Sequence, residues 1–241
     1  MMHRTLWMFL IFCLIPASAH ATKTVTSPYV TKGEAAIESK TGYLADGDDD
    51  VDGEWEQVVG MGYGLTDFWS TKVEAEFVRS GEADSETETD SIEWQNKFQF
   101  TPRGEGFVDA GARIAYKLNT ASGADEVEAK LLLGKKIGPV ALLNNVIISR
   151  EVGEDASDET EYELSWSAAY QYSDHFRPGI EIYNEFGNFE GGFDEQEHLI
   201  GPVAYGKIID GLNYNTGVLF GASDAAPDAT LKLVLEYKFS F

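Results

Sequence analysis

Three features of the sequence predict an all-β chain: a transmembrane antiparallel up-and-down β-barrel of about 12 strands, both termini periplasmic. Twelve segments read as strands, most of them alternating apolar and polar residues with a period of two, the signature of a strand with one polar and one apolar face. Each runs to about nine to eleven residues, the length a tilted strand needs to cross a bilayer. The connections alternate strictly between short and long, as in barrels with short turns at one rim and longer loops at the other. The final segment, Thr230–Phe241, puts Leu231, Leu233, Leu235, Tyr237, Phe239 and Phe241 on one face and Lys232, Glu236, Lys238 and Ser240 on the other.

The first residues read as a targeting segment. Arg4 forms a short basic start, Leu6–Ile15 is an unbroken apolar run, and Ala19-His20-Ala21 has the small-x-small pattern of a signal-peptidase site. Residues 1–21 are therefore expected to be a signal peptide and 22–241 the barrel. The apolar run is too short to span a bilayer as a helix. Cys13 is the only cysteine, and Phe12 before it argues against a lipidation site. Cleavage after Ala21 leaves a chain without thiols or disulfides.

The strands follow in order. Gly33–Tyr43 leads. Glu54–Leu65 sets Trp55, Val59, Met61, Tyr63 and Leu65 against Gly60, Gly62 and Gly64. Trp69–Phe77 sets Val73, Ala75 and Phe77 against Lys72, Glu74 and Glu76, and Ile92–Phe100 sets Ile92, Trp94 and Phe98 against Glu93, Gln95 and Lys97. Val108–Leu118 sets Ala112, Ile114 and Tyr116 against Asp109, Arg113 and Lys117. Val127–Lys136 and Val140–Arg150 come next, then Tyr162–Tyr172, with Leu164, Trp166 and Tyr170 against Glu163, Ser165 and Ser167. Pro178–Phe186, His198–Lys207, Leu212–Phe220 and Thr230–Phe241 complete the set. Val140–Arg150 and His198–Lys207 alternate poorly, which leaves their inner faces open.

The short connections are Thr66-Asp67, Thr101–Gly106, Ile137–Pro139, Ser173–His175 and Ile208–Gly211. The long ones are Ala45–Gly53, Ser80–Ser91, Asn119–Glu126, Glu151–Thr160, Gly187–Glu197 and Gly221–Ala229. A soluble sandwich has no reason to sort its loops by parity. Aromatic residues collect near both ends of the strands, Tyr63, Phe100, Tyr170 and Tyr237 at one and Trp94, Tyr116 and Phe220 at the other, as interfacial girdles require.

Charge is sorted as sharply as the loops. The chain has 18 Lys and Arg against 41 Asp and Glu. The six long connections hold 23 of those acids and no Lys or Arg. So acidic a chain has no basic surface for nucleic acid. The acidic rim reads as a solvated loop set without a ligand, or as one that draws cations to a pore mouth, or as one that binds Ca²⁺ or Mg²⁺ and so bridges to lipopolysaccharide. Asp46, Asp48, Asp50 and Asp52 are the candidate metal ligands, although the loop lacks the full EF-hand pattern. The inward faces are nearly balanced instead. Glu74, Glu76, Lys97, Asp109, Arg113, Lys117, Glu163, Glu181, Lys232 and Glu236 are the candidate lumen-lining residues, with opposite charges placed to pair between strands. Twelve strands lie between barrels filled by their own side chains and open porins. No loop is long enough to serve as a large plug, so a narrow pore is permitted.

Catalytic patterns are absent. A barrel hydrolase needs a His-x-Ser pair on one strand face so that the imidazole can activate the hydroxyl. His175 is followed by Phe176-Arg177 and His198 by Leu199-Ile200. The chain is not expected to be an enzyme, and no resident cofactor is expected.

Two segments carry a family resemblance. Tyr63-Gly64-Leu65-Thr66-Asp67-Phe68-Trp69 and the ending from Ala226-Pro227-Asp228 through Glu236-Tyr237-Lys238-Phe239 resemble small Gram-negative outer-membrane barrels. In particular, they resemble the MetA-pathway phenol-degradation outer-membrane family. The terminal strand also resembles the signal read by the barrel assembly machinery. The resemblance implies an outer-membrane barrel that passes small organic or aromatic compounds; with the acidic rim, the expected function is passive passage or binding of a small-molecule solute, such a compound or a cation. The alternatives are a structural barrel whose acidic loops meet divalent cations, lipopolysaccharide or a partner, and a lipid-modifying enzyme.

Overall fold

The computed structural model describes residues 22–240, apart from 49–50, 83–84, 121–122, 155 and 190–191. Residues 1–21 of the expected signal peptide lie outside the described residues, as does Phe241. Among the described residues, the strands are β1 (Glu34–Ala45), β2 (Trp55–Gly64), β3 (Trp69–Arg79) and β4 (Glu88–Gln99). They continue with β5 (Asp109–Asn119), β6 (Asp125–Ile137), β7 (Val140–Val152) and β8 (Thr160–Tyr170). The last are β9 (Arg177–Gly187), β10 (Glu197–Ile209), β11 (Leu212–Gly221) and β12 (Ala229–Ser240).

Each strand pairs antiparallel with its sequence neighbours, and β1 pairs with β12 to close the ring. Glu34 faces Ser240 and Ala45 faces Ala229 in that seam. Both ends of the barrel chain therefore sit at the rim that carries the short turns. Closure removes every unpaired edge, so the backbone is satisfied without water.

Local chemistry explains the tight rim. Between β6 and β7 only Gly138-Pro139 intervenes, with Gly138 at φ +56°. Between β10 and β11 the pair is Asp210-Gly211, with Gly211 at φ +83°. The first, with glycine leading at positive φ, fits a mirror-image turn that suits the twist of a hairpin; in the second only the glycine that follows Asp210 takes a positive φ. The β2–β3 turn is held by Thr66, whose hydroxyl accepts the amides of Phe68 (3.3 Å) and Trp69 (3.0 Å).

The barrel is inside out relative to a soluble core. Met61, Trp94, Ile114, Trp166, Ile180 and Leu231 are exposed on the outer face, while Glu56, Glu74, Gln95, Arg113, Glu181 and Lys232 are buried within. An apolar belt around a polar interior is the arrangement a barrel adopts in lipid.

Most boundaries fall within two residues of the sequence reading, and the largest departure is in β4. β4 begins at Glu88, four residues before the expected start at Ile92. The polar run Glu88-Thr89-Asp90-Ser91 hides the strand from any alternation test. Ser91 nevertheless turns inward and donates to Glu76 Oε2 at 2.8 Å, next to a register shift between Glu76 and Phe77.

Candidate functional site: an occupied lumen

The lumen contains the chain's own N-terminal segment. Thr22–Lys32 precedes β1 without regular structure and runs inward from the short-turn rim. Eleven residues span at most about 35 Å when extended, enough to traverse most of a bilayer-deep barrel. Its contacts order by depth. Val30 donates to the Gln99 side chain (2.8 Å) and Tyr29 to Asp109 (2.8 Å), both near the short-turn rim. Pro28 is fully buried above Gly111 and Gly134, where a Cβ on the wall would press against its ring at 3.1 and 3.3 Å. Deeper in, Thr26 and Asn145 exchange two hydrogen bonds of 2.8 Å.

The tip reaches the half of the barrel nearest the long loops and bridges it. The Lys23 ammonium pairs with Glu185 on β9 and lies 4.0 Å from Glu163 on β8. Thr22 bonds to Glu56 on β2 through both its amide (3.2 Å) and its hydroxyl. In a ring of twelve, β2 and β8 are diametrically opposed. Successive residues thus fasten to opposite walls. Val25 packs on an apolar patch of Tyr183, Leu199, Val203, Leu219 and Ala226. That patch accounts for the poor alternation of His198–Lys207: Leu199 and Val203 face inward because another part of the chain covers them.

The wall itself is a continuous polar network. Glu74 pairs with Lys40 and Lys72, each at 2.8 Å, and accepts from Gln95 at 2.5 Å. Gln95 accepts in turn from Arg113 (3.2 Å), which pairs with Glu128 at 2.5 Å and Glu93 at 3.8 Å. Lys117 bridges Glu76 (3.1 Å) and Asp90 (3.5 Å). Elsewhere Lys232 meets Glu181 at 2.6 Å, and Glu181 also accepts from Tyr205 (2.6 Å), Tyr183 (2.8 Å) and Asn215 (3.1 Å). β10 and β11 lie between β9 and β12, so the contact runs across the interior rather than along a ladder.

Of the residues singled out from sequence, Glu74, Glu76, Arg113, Lys117, Glu181 and Lys232 enter these networks. Lys97, Asp109 and Glu163 instead meet the N-terminal segment, Lys97 through the Ser27 carbonyl at 3.4 Å. Glu236 pairs with Lys238 at 3.3 Å. None of the loops is long enough for a plug in the sequence, and the element that enters the lumen is instead the segment before β1. The signal in the sequence is the eleven residues between the expected cleavage site and the expected first strand, together with inward apolar residues that no strand pattern explains.

The acidic loop is tied up locally. Asp46 accepts the amides of Asp48 (2.8 Å) and Asp228 (2.9 Å), and Asp52 accepts that of Asp46 (3.0 Å). Asp228 accepts the amide of Gly47 at 3.1 Å, stitching the β1–β2 loop to the β11–β12 loop. Asp50 lies outside the described residues. Among the described residues, no three His, Cys, Asp or Glu side chains gather as a metal ion would require.

No protein-family model matches the chain, and no curated protein matches it. Several solved structures are similar in fold. The COG4313 outer membrane channel from Pseudomonas putida F1 has a TM-score of 0.63 at 13% identity, over 87% of this chain and 97% of that one. The NanC porin has a TM-score of 0.59 at 7% identity, over 85% of this chain and 100% of that one. A KdgM porin in complex with disordered oligogalacturonate has a TM-score of 0.58 at 8% identity, over 86% of this chain and 99% of that one. The likeness is one of architecture: this chain has the fold of Gram-negative outer-membrane porins and channels.

Proposed function

We propose that this outer-membrane barrel is a narrow passive channel for small solutes, constricted by its own N-terminal segment and entered through an acidic, cation-attracting mouth. The observation that carries this reading is the lumen: a polar, charge-paired bore inside an apolar-coated barrel, filled by Thr22–Lys32 rather than by a packed core. A barrel built only for anchorage has no need of a polar, charge-paired interior closed by a separable segment. The sorting of short turns and long acidic loops, with the signal-peptide pattern, supports periplasmic termini and external loops. Resemblance to the MetA-pathway family supports small organic or aromatic compounds among the solutes. The absence of a His-x-Ser pair supports a non-enzymatic role.

The test is conductance in planar bilayers and swelling of liposomes, with the mature chain and with a form lacking residues 22–32. The full chain should conduct weakly, and the shortened one should conduct several-fold more. Silence from both, when both are folded, would sink the channel reading.

A further inference from the structure

We propose that signal-peptide removal creates a ligand for the lumen: the new α-ammonium of Thr22 docks between the carboxylates of Glu56 and Glu76 and fastens the segment's tip to the β2–β3 wall. Hydrolysis of the Ala21–Thr22 amide adds water across the bond. The hydroxyl goes to the Ala21 carbonyl carbon and the proton to the Thr22 nitrogen, which takes up a further proton at neutral pH. An amide with one hydrogen thereby becomes a cation with three.

The destination is already built. Thr22 N lies 3.2 Å from Glu56 Oε2, and its hydroxyl bonds the other oxygen of the same carboxylate. Glu56 is 1% exposed. Its carboxyl is in hydrogen-bonding contact with that of Glu76. Two buried carboxyls in contact need a shared proton or a cation. Glu76 draws on Lys117 and Ser91, whereas Glu56 meets only Thr22 and Glu76 among its described contacts.

Charge counting over this wall agrees. Glu38, Glu56, Glu74, Glu76, Asp90, Glu93 and Glu128 face Lys40, Lys72, Arg113, Lys117 and Lys130, so acids outnumber bases. An α-ammonium reduces that excess. Beside Thr22 lies a cavity of about 90 Å³ lined by Lys40, Val58, Glu74, Glu76, Ser91 and Glu93. It leaves room for the added hydrogens and for water to take those that no carboxylate accepts.

The experiment is amine acetylation of the folded mature protein in detergent at neutral pH, followed by mass spectrometry of the N-terminal peptide. Each pK unit by which carboxylates hold the ammonium cuts the reactive neutral amine about tenfold. The Thr22 amine should therefore react about tenfold or more slowly in the folded barrel than in the unfolded chain. Glu56→Gln keeps the hydrogen bonding, removes the charge and should restore much of the rate. Glu236→Gln, a lumen acid outside this network, should not. Glu76→Gln serves if Glu56→Gln fails to give the compact folded band on a gel. Equal rates in folded wild type and unfolded chain would overturn the proposal. So would slow labelling that both acid-pair variants leave unchanged, or a mature mass that does not begin at Thr22. None of these readouts depends on conductance, so the channel reading stands or falls separately.

Discussion

Lys232 Nζ lies 2.6 Å from Glu181 Oε2, and the same ammonium donates to the Lys23 carbonyl at 2.6 Å. One buried ion pair therefore braces the wall from β9 to β12 and holds the inserted segment. Its side chains are 0% and 1% exposed. Removing one partner strands the other charge without water.

Lys232→Met should accordingly destabilise the barrel by about 3–5 kcal/mol. The measurement is the temperature at which the folded band is lost in gel-shift heating. The double variant Lys232→Met with Glu181→Leu should lose much less, because no unpaired charge remains. A double variant as damaged as the single one would contradict this account.

Gly134 is the place to evict the segment from below. A Cβ there would meet Tyr29 Oη at 3.1 Å and Pro28 Cδ at 3.3 Å, with Leu143 Cδ2 at 3.3 Å. These are side-chain atoms, so the strand itself has room. Gly134→Val should leave folding intact and raise single-channel conductance toward that of the form lacking residues 22–32. Unchanged conductance would mean that the segment does not control the bore at this depth.

Lys23 holds the opposite end of the crossbar through Glu185 and Glu163. Lys23→Gln should lengthen or multiply openings in single-channel records. Lys32→Gln, at an exposed position beside the rim, should leave them as they are. Identical records for the two variants would remove Lys23 from the closure.

The outer acids should act at long range and be sensitive to salt. Glu82, Glu86, Glu88, Glu154 and Glu159 are exposed, and screening acts over about 8 Å at physiological ionic strength. Changing all five to Gln should reduce cation preference, read as a shift in reversal potential across a KCl gradient. The shift should be larger in dilute salt than in concentrated salt. These residues are preferred over Asp46 and Asp52, whose carboxylates accept backbone amides and hold two loops together.

Much of the architecture is legible residue by residue. The run from Leu231 to Phe239 alternates because one face meets lipid and the other the lumen, and the structure keeps that parity, with Lys232 buried and Leu231 and Leu233 exposed. The turn at Asp210-Gly211 is legible because the conformation that it needs favours glycine. β4 is misjudged by four residues because its start is polar on both faces where it rises toward the acidic loops. β10 is ambiguous because its inward Leu199 and Val203 answer to Val25, more than 170 residues away in sequence. The inward parity of Glu74, Arg113 and Glu181 was readable from their own strands, but not which partners they take.

Sequence alone determined the strand plan, the closed antiparallel barrel and the acidity of the long-loop rim, because each follows from local periodicity, turn chemistry and composition. Only the tertiary structure decided what fills the bore. Whether Thr22–Lys32 hangs free or folds inward depends on contacts with β2, β5, β7, β8, β9 and β12 at once. Those strands are brought around one axis only by ring closure, and no pattern within eleven residues encodes the wall that will surround them.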